Sequence, residues 1–317
     1  MELDIISYDD LINPSQGDVH QYLEKALLEK GIVGVQGIPE YTSITQKYIE
    51  AARQFMALDE AVREKYAPLR DSGDTEGYES GAEKFMNKAG EWQVDDKKVS
   101  YYAYLPPSPN NKWPAELDFK GPYEALSKLI FNTGKHLLKA LHLDDAHGLI
   151  HETLSGHCRM LYYRQEKQEK VDNTDWCGAH FDHGVLTGLI PAYYFYEGQE
   201  IEEPPEAGLY VKPILGQDFE KVSAKDKSIL YFQMGEFGQL LSNDRFSATE
   251  HMVKKTGGNI ERYTFALFYC AADDTLIRSS SVLTQDTRYQ AHQRNNEISF
   301  FDWSCASFDR YRHKQSG

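Results

Sequence analysis

Cysteine is scarce in this sequence of 317 residues, and the few that occur are widely and irregularly spaced. They stand at Cys158, Cys177, Cys270 and Cys305, so that no CxxC pair is present. A disulfide framework is typical of shorter chains with denser cysteines, and a zinc knuckle needs closely spaced pairs. We therefore expect free thiols, and we exclude a disulfide scaffold and a cysteine zinc site.

Positive charge and long apolar runs are also lacking. The formal net charge is −15, whereas binding to nucleic acid or to an anionic membrane surface depends on clustered Lys and Arg. No apolar run approaches the length that crosses a bilayer, and the N-terminus lacks the basic and apolar regions of a secretory signal. We expect a cytoplasmic protein, a monomer or weak homo-oligomer, that binds neither nucleic acid nor membrane.

Several common catalytic motifs are absent as well. The sequence has no Gly-rich phosphate loop, no GxSxG elbow and no dinucleotide fingerprint. His147 and His151 are four residues apart on a predicted helix, which is one arrangement that binds zinc. The spacing to the next histidine, His157, does not fit the HExxH motif, because Gly156 intervenes and the interval is six residues. A solvent-exposed helical face is the better interpretation.

The pattern of the sequence changes after Cys158. Before it, apolar residues recur mostly at helical spacing; after it, short β-prone runs are separated by Gly, Pro, Asn and Asp, as in an antiparallel sandwich or barrel. The predicted helices are at 19–27, 44–66, 122–143 and 146–154. The predicted strands include 32–35, 159–163, 185–190, 209–212, 228–232, 251–254 and 263–271. Because no Pro- or Gly-rich linker separates the two parts, we predict one domain with helices packed around a β core.

His180 and Asp182 are two residues apart in a predicted extended segment, and His251 stands at the start of a later apolar run. Side chains two apart on a strand project to the same side, so the imidazole and the carboxylate reach one point. Two imidazoles and one carboxylate are the ligand set that holds Fe(II) on one face and leaves other positions open. The alternative is two ordinary histidines, since the HxD spacing alone is common by chance.

Arg262 and Thr264 share one face of a predicted strand that is otherwise apolar from Tyr263 to Tyr269. An inward arginine in such a strand is unfavourable unless it is paired. A bound carboxylate would pair with the guanidinium through two parallel hydrogen bonds. The two side chains therefore indicate a site for a small dicarboxylate, and the alternative is a structural Asp or Glu partner at the strand end.

The order of these motifs resembles the Fe(II)/2-oxoglutarate-dependent oxygenases of the isopenicillin N synthase-like family, over most of the chain. The matching segments are 31–39, 55–65, 111–114, 159–163, 180–187 and 241–251. Each segment is modest alone, but their order is specific. The resemblance implies a mainly β fold with flanking α-helices around a double-stranded β-helix (jelly-roll) core. It implies a single oxygenase domain over 1–317, with a mainly helical region at 1–155, the jelly-roll core at 156–275 and a C-terminal tail at 276–317.

The resemblance also implies roles for six residues. His180, Asp182 and His251 would bind the iron and form the catalytic centre. Arg262 and Thr264 would bind the distal carboxylate of the cosubstrate 2-oxoglutarate, and Tyr163 would contact it from the neighbouring strand.

The sequence departs from the family pattern at several positions. Serine is usual where Thr264 stands, asparagine where Leu161 stands, proline where Arg164 stands and arginine where Met252 stands. Thr264 keeps the hydroxyl but adds a methyl group that narrows the pocket. Because the triad is intact, we expect these departures to affect cosubstrate affinity before iron binding.

The activity implied is hydroxylation, desaturation or ring closure of a small organic substrate, with consumption of O2 and release of succinate and CO2. One alternative is an Fe(II) oxidase of the same fold that does not use 2-oxoglutarate, although Arg262 with Thr264 argues against it. A second is a non-catalytic jelly-roll protein that binds a ligand or a metal. The aromatic residues of the C-terminal tail, from Phe300 to Phe308, either cover the pocket or pack in the core.

Overall fold

The computed structural model describes residues 1–13, 18–69, 74–81, 84–86, 92–94, 98–143, 153–164, 175–223 and 226–311. The helices are α1 (Tyr8–Ile12), α2 (Asp18–Lys30), α3 (Tyr41–Met56), α4 (Glu60–Arg63), α5 (Lys120–Ala140), α6 (Glu236–Leu241), α7 (Thr287–His292) and α8 (Phe300–Tyr311), with 3-10 turns at Glu64–Tyr66 and Val282–Gln285. The strands are β1 (Ile5–Ser7), β2 (Ile32–Gln36), β3 (Gly77–Ser80), β4 (Lys84–Met86), β5 (Trp92–Val94), β6 (Lys98–Leu105), β7 (Ser155–Tyr163), β8 (Asp175–His180), β9 (Leu186–Leu189), β10 (Tyr193–Tyr196), β11 (Gln199–Ile201), β12 (Gly208–Val211), β13 (Glu220–Lys221), β14 (Leu230–Met234), β15 (His251–Lys254), β16 (Ile260–Cys270), β17 (Leu276–Arg278) and β18 (Glu297–Ser299).

Two sheets form the centre of the molecule. The larger sheet has the order β1-β2-β14-β9-β16-β7-β6-β3, with β10 and β11 added beside β16, and the smaller has the order β13-β12-β15-β8. The strand pairs of both sheets are antiparallel except for β1 and β2. Side chains of both sheets line one cavity. The expected mainly β fold with flanking helices and a jelly-roll core is therefore confirmed.

Strand β16 has one face in the hydrophobic core and the other face on the cavity. Its odd-numbered residues, Tyr263 to Tyr269, are buried toward α3 and α5, where Tyr48 and Tyr123 lie edge-on to Phe265 with ring centroids 5.0 Å away. Four of its even-numbered residues line the cavity: Arg262, Thr264, Ala266 and Phe268. This alternation follows from the pleat of a strand. As a result the cationic side chain of Arg262 lies inside the molecule.

Helix α5 crosses β16 at Gly134. A Cβ at this position would lie 2.0 Å from the hydroxyl oxygen of Tyr269, so a larger residue would push the helix away from the sheet. The close approach lets the Tyr269 hydroxyl donate to the carbonyl of Ile130. The helix thus covers the outer face of the strand that carries Arg262.

Most of the predicted elements are present, with shifted ends. The helix predicted at 44–66 ends at Met56 and is followed by the short α4, and the strand predicted at 228–232 begins at Leu230. The helix predicted at 146–154, with His147 and His151, lies almost entirely outside the described residues. In the described part of the chain, no helix is both long enough and apolar enough to cross a membrane. The single domain remains a prediction.

Candidate metal centre

Three side chains that are far apart in the sequence converge at one point. Ligand atoms of His180, Asp182 and His251 all lie within 4.8 Å of one another, and among the described residues they form the one such group of three or more. Asp182 Oδ1 is 3.9 Å from His180 Nε2, and Asp182 Oδ2 is 3.8 Å from His251 Nε2. Two metal–ligand bonds of about 2.0–2.2 Å span such distances. The structure therefore brings together the three residues that the sequence analysis assigned to the metal.

The pairing of β8 with β15 positions the two imidazoles. His180 is the last residue of β8 and lies directly opposite His251, the first residue of β15. Their ring centroids are 4.2 Å apart. Asp182 follows in the loop after β8, and its carboxylate is 8% exposed. The strand predicted for the HxD segment thus ends at His180, and the carboxylate is that of Asp182, the second residue of the loop that follows.

Each imidazole is oriented by a hydrogen bond from its Nδ1 atom. Nδ1 of His180 lies 2.8 Å from the carbonyl oxygen of Gly178, and Nδ1 of His251 lies 3.0 Å from that of Thr249. A carbonyl only accepts, so both Nδ1 atoms carry a proton, and Nε2 is the atom of each ring that can bind a metal. Both Nε2 atoms face Asp182.

Two residues that the sequence analysis did not assign hold Asp182. Its Oδ2 accepts hydrogen bonds from the Thr187 hydroxyl at 2.7 Å and from Gln233 Nε2 at 2.8 Å. Both partners are fully buried, at 0% exposure. With Oδ2 fixed in this way, Oδ1 is left for an ion. A signal for Gln233 was present, because it is a single polar residue in the apolar strand β14.

The three groups also shift one another's protonation. Burial alone would lower the pKa of His180, but Cys177 and Asp182 raise it to about 9. Burial lowers the pKa of His251 to about 4, and the neighbouring charge on His180 adds to this effect. Burial alone would raise the pKa of Asp182, but the two imidazoles and its hydrogen bonds hold it below its usual range. In the metal-free site the raised pKa of His180 favours a second proton, on Nε2, beside the Asp182 carboxylate, and a bound cation would replace that proton.

Arg262 is buried in the same cavity. It is 5% exposed, its Nε donates to the Tyr194 hydroxyl at 3.2 Å, and its guanidinium carbon lies 5.1 Å from the centre of the Tyr163 ring. Among the described residues its Nη1 is buried without a hydrogen-bond partner, and no carboxylate forms an ion pair with the guanidinium. A buried cation with an unused donor is unfavourable unless a ligand completes it. The described residues therefore show no direct Asp or Glu partner, although the Tyr194 hydroxyl that accepts from Arg262 donates in turn to Glu203 at 3.3 Å.

Thr264 and Tyr163 also line this cavity. The Thr264 hydroxyl donates to the carbonyl oxygen of Ile190 at 2.9 Å, so it is already engaged in a bond within the protein. Tyr163 lies opposite Arg262 across β7 and β16, and burial raises the pKa of its hydroxyl to about 12. Tyr163 is therefore a neutral hydroxyl beside the guanidinium, able to donate one hydrogen bond.

The cavity that joins these groups has a volume of about 280 Å³. It reaches from Arg262 past the triad to α8, where Ser307 and Phe308 form part of its wall. Helix α8 is attached to the loop that carries Asp182, because Trp303 Nε1 donates to the carbonyl oxygen of His183 at 3.1 Å. The aromatic tail therefore both packs in the core, through Trp303, and covers the pocket, through Phe308.

A buried ion pair supports the same loop from behind. The backbone N–H of Glu236, at the start of α6, donates to the carbonyl oxygen of Asp182. The Glu236 carboxylate forms two hydrogen bonds of 2.7 Å with Arg288, whose side chain is 6% exposed. The metal loop is thus fixed between α6, α7 and α8.

Comparison with known proteins supports the fold. No family model matches the chain, and no curated protein sequence matches it either. Among solved structures, a putative 2OG-Fe(II) oxygenase family protein from Caulobacter crescentus superimposes with a TM-score of 0.74 at 20% identity, covering 97% of this chain and 98% of that one. A full-length Neurospora crassa protein in complex with alpha-KG gives 0.71 at 18% identity over 97% and 96%. JOX2 in complex with 2OG, Fe and JA gives 0.68 at 18% identity over 95% and 83%.

Proposed function

We propose that this chain, which has the fold of 2OG-Fe(II) oxygenases, is a non-haem Fe(II)/2-oxoglutarate-dependent oxygenase that oxidises a small organic substrate. The observation that carries the proposal is the presence, in one cavity, of a His-Asp-His triad and of a buried arginine with an unused donor. The triad would bind the metal, and the arginine would bind a carboxylate of the cosubstrate. Neither feature has an evident structural purpose.

The residues present fit an iron ion. His180 and His251 would each bind through Nε2, and Asp182 through Oδ1, because their other polar atoms are engaged by the protein. Two imidazoles and one carboxylate leave several coordination positions open, as the iron of oxygenases requires, whereas a structural zinc site is closed by four protein ligands. Gln233 and Thr187 would keep the carboxylate oriented as the ion binds and leaves.

The same cavity fits 2-oxoglutarate. Arg262 would bind the distal carboxylate through Nη1, which has no other partner among the described residues. Tyr163 and Thr264 line the cavity beside it, and the Thr264 hydroxyl can turn from the Ile190 carbonyl to donate to the carboxylate. The surrounding protein excludes water from this pairing, which strengthens it. The 2-oxo acid end of the molecule would then be directed toward the triad.

The chemistry that bound iron supplies is the coupled oxidation of 2-oxoglutarate and substrate by O2. In a hydroxylation, one oxygen atom enters succinate, CO2 leaves, and the other oxygen atom enters a C–H bond of the substrate. The chain contributes by holding both reactants beside the iron and by excluding water under α8. Desaturation and ring closure use the same site with a different fate of the substrate.

Two other functions are less well supported. An Fe(II) oxidase that uses no 2-oxoglutarate would leave the buried Nη1 of Arg262 unexplained. A non-catalytic binding protein would not need a triad with open coordination positions. Cytoplasmic localisation and a monomeric or weakly associated state remain expectations from composition, as does the absence of nucleic-acid and membrane partners.

The proposal is tested by calorimetric titration of 2-oxoglutarate into protein loaded with Mn(II), which replaces Fe(II) without reacting with O2. We expect 2-oxoglutarate to bind only to the metal-loaded protein. Succinate, which lacks the 2-oxo group, should not bind. Binding of succinate as tightly as 2-oxoglutarate, or binding independent of the metal, would contradict the proposal. A screen of candidate substrates for succinate formation then identifies the molecule oxidised.

A further inference from the structure

Tyr194 holds the guanidinium of Arg262 from the side away from the cavity. The two residues are direct partners across β10 and β16, and the Tyr194 hydroxyl accepts a hydrogen bond from Arg262 Nε at 3.2 Å. Tyr194 is 0% exposed and lies outside the cavity lining, whereas Arg262 is part of that lining. Tyr194 therefore contacts the arginine but not a molecule bound in the cavity.

Glu203 fixes the direction of the Tyr194 hydroxyl. Burial raises the pKa of Tyr194 to about 12, so the hydroxyl is neutral and has one proton to donate. It donates that proton to Oε2 of Glu203 at 3.3 Å. Because the proton lies on the Glu203 side, the lone pairs of the oxygen are free to accept from Arg262. The hydroxyl thus presents its accepting side to the guanidinium.

The Glu203 carboxylate is itself held in place by the protein. Its Oε1 is 2.9 Å from Nζ of Lys221, and the same ammonium donates to the backbone carbonyl oxygens of the two residues that follow Glu203, at 2.8 and 2.9 Å. A Cβ at Gly208 would lie 2.7 Å from Oε2, so the carboxylate occupies space that only a glycine leaves open. The carboxylate therefore has contacts that fix its position independently of the arginine.

These contacts leave one part of Arg262 for a ligand. Its Nε is engaged by Tyr194, whereas Nη1 is the nitrogen that has no hydrogen-bond partner among the described residues. An arginine side chain has several rotatable bonds, and ordering it only when a ligand arrives would weaken binding. The hydrogen bond to Tyr194 orders it beforehand. The guanidinium is thus preorganised for an anion at Nη1.

We propose that Tyr194 is a positioning residue for the cosubstrate: its hydroxyl, oriented by Glu203, holds Arg262 so that Nη1 meets the distal carboxylate of 2-oxoglutarate. The inference rests on the proposed function and adds a residue to the same site. Because Tyr194 acts only through Arg262, it should affect recognition of the distal carboxylate and not the end of the molecule that binds the metal.

The variant Tyr194→Phe tests this role, since it removes the hydroxyl and keeps the ring that packs 6.4 Å from the ring of Trp176. Mn(II)-loaded protein is titrated with 2-oxoglutarate and with 2-oxopentanoate, which has a methyl group in place of the distal carboxylate. We expect Tyr194→Phe to weaken 2-oxoglutarate roughly 10-fold or more, as for loss of one hydrogen bond to a charged group. The affinity for 2-oxopentanoate should not change.

A double-mutant cycle shows whether Tyr194 acts through Arg262. In the Arg262→Met background, Tyr194→Phe should cause no further loss of 2-oxoglutarate affinity, because the group that it positions is absent. Tyr66→Phe is the matched control. The Tyr66 hydroxyl also accepts from an N–H and donates to a carboxylate, that of Glu116 at 2.6 Å, but Tyr66 lies outside the cavity lining. This variant should bind both ligands as the wild type does.

A measurement on the wild type covers the case in which Tyr194→Phe does not fold. The Nε–H signal of Arg262 is followed by ¹⁵N NMR of the metal-free protein and assigned through Arg262→Lys. We expect its hydrogen to exchange slowly with solvent before any ligand is added. Exchange as fast as that of Arg278, whose side chain is 67% exposed, would show that the guanidinium is not held and would overturn the proposal.

The outcomes separate this inference from the proposed function. Absence of metal-dependent 2-oxoglutarate binding in the wild type means that the proposed function is wrong. Normal wild-type binding that is unchanged in Tyr194→Phe overturns the role of Tyr194 alone. So does an equal loss of both ligands in a variant with native circular dichroism, or a further loss in the Arg262→Met background.

Discussion

His180 and His251 are direct partners across two antiparallel strands, with ring centroids 4.2 Å apart. The register of β8 against β15 therefore creates the metal centre. A shift of one residue would turn one imidazole to the other face of the sheet. The same strand pairing that builds the smaller sheet therefore also builds the metal centre.

The first prediction concerns the metal. His180→Ala should lower Fe(II) affinity by more than about 100-fold, because it removes one of three protein ligands. Loss of a residue that only supports a ligand typically costs less, about 10- to 100-fold. The measurement is bound iron per chain after anaerobic dialysis. His292→Ala changes an exposed histidine and should keep full iron. Equal iron in the two variants would contradict the assignment.

The second prediction separates the cosubstrate from the metal. Arg262→Met should leave iron binding unchanged and weaken 2-oxoglutarate by ~2–3 kcal/mol, or roughly 30- to 150-fold, because a charge-assisted pair is lost. The 2-oxoglutarate affinity of Arg262→Lys should lie between that of Arg262→Met and that of the wild type, because lysine keeps the charge but not the paired donors of the guanidinium. The readouts are bound iron and calorimetric titration of 2-oxoglutarate. Loss of both ligands together would mean that Arg262 is structural.

The third prediction tests the support of Asp182. Gln233→Leu removes the hydrogen bond to Oδ2 while keeping the size of the side chain, and should weaken Fe(II) by roughly 10- to 100-fold. Thr187→Val should have an effect of the same kind through the other hydrogen bond. Both variants should keep the far-UV circular dichroism of the wild type. Unchanged iron affinity in both would show that the loop alone orients Asp182.

The fourth prediction concerns stability. Arg288→Met leaves the Glu236 carboxylate buried without its partner and should lower the free energy of unfolding by about 3–5 kcal/mol. Arg278→Met, which breaks an exposed pair with Glu297, should change it by about 0–1 kcal/mol. Denaturant unfolding of the metal-free protein measures both. If the two losses are equal, the buried pair does not stabilise the loop of Asp182.

Much of the fold was predictable because the patterns are local. The period of two in β16 predicts which residues face inward, and the HxD spacing predicts that His180 and Asp182 act together. The supporting contacts were not predictable in the same way. Gln233 reaches Asp182 only because β14 and β9 are adjacent, and Arg288 reaches Glu236 across the chain from α7. Such pairs depend on tertiary register, which no single segment specifies.

The role of the C-terminal tail was also not predictable from its sequence pattern. Its aromatic residues were compatible with either packing or covering the pocket. The structure divides these roles within one helix, because Trp303 is fully buried while Phe308 lines the cavity. Helical periodicity alone does not distinguish which face meets the core, since both faces of α8 contain large apolar side chains.

The most direct test of the central claim is anaerobic addition of Fe(II) and then 2-oxoglutarate to the pure protein, followed by visible absorption. We predict a weak charge-transfer band that needs both additions, is absent in Asp182→Ala and requires much more 2-oxoglutarate in Arg262→Met. Absence of the band in iron-loaded wild-type protein at saturating 2-oxoglutarate would contradict the assignment of this chain as a 2-oxoglutarate-dependent oxygenase.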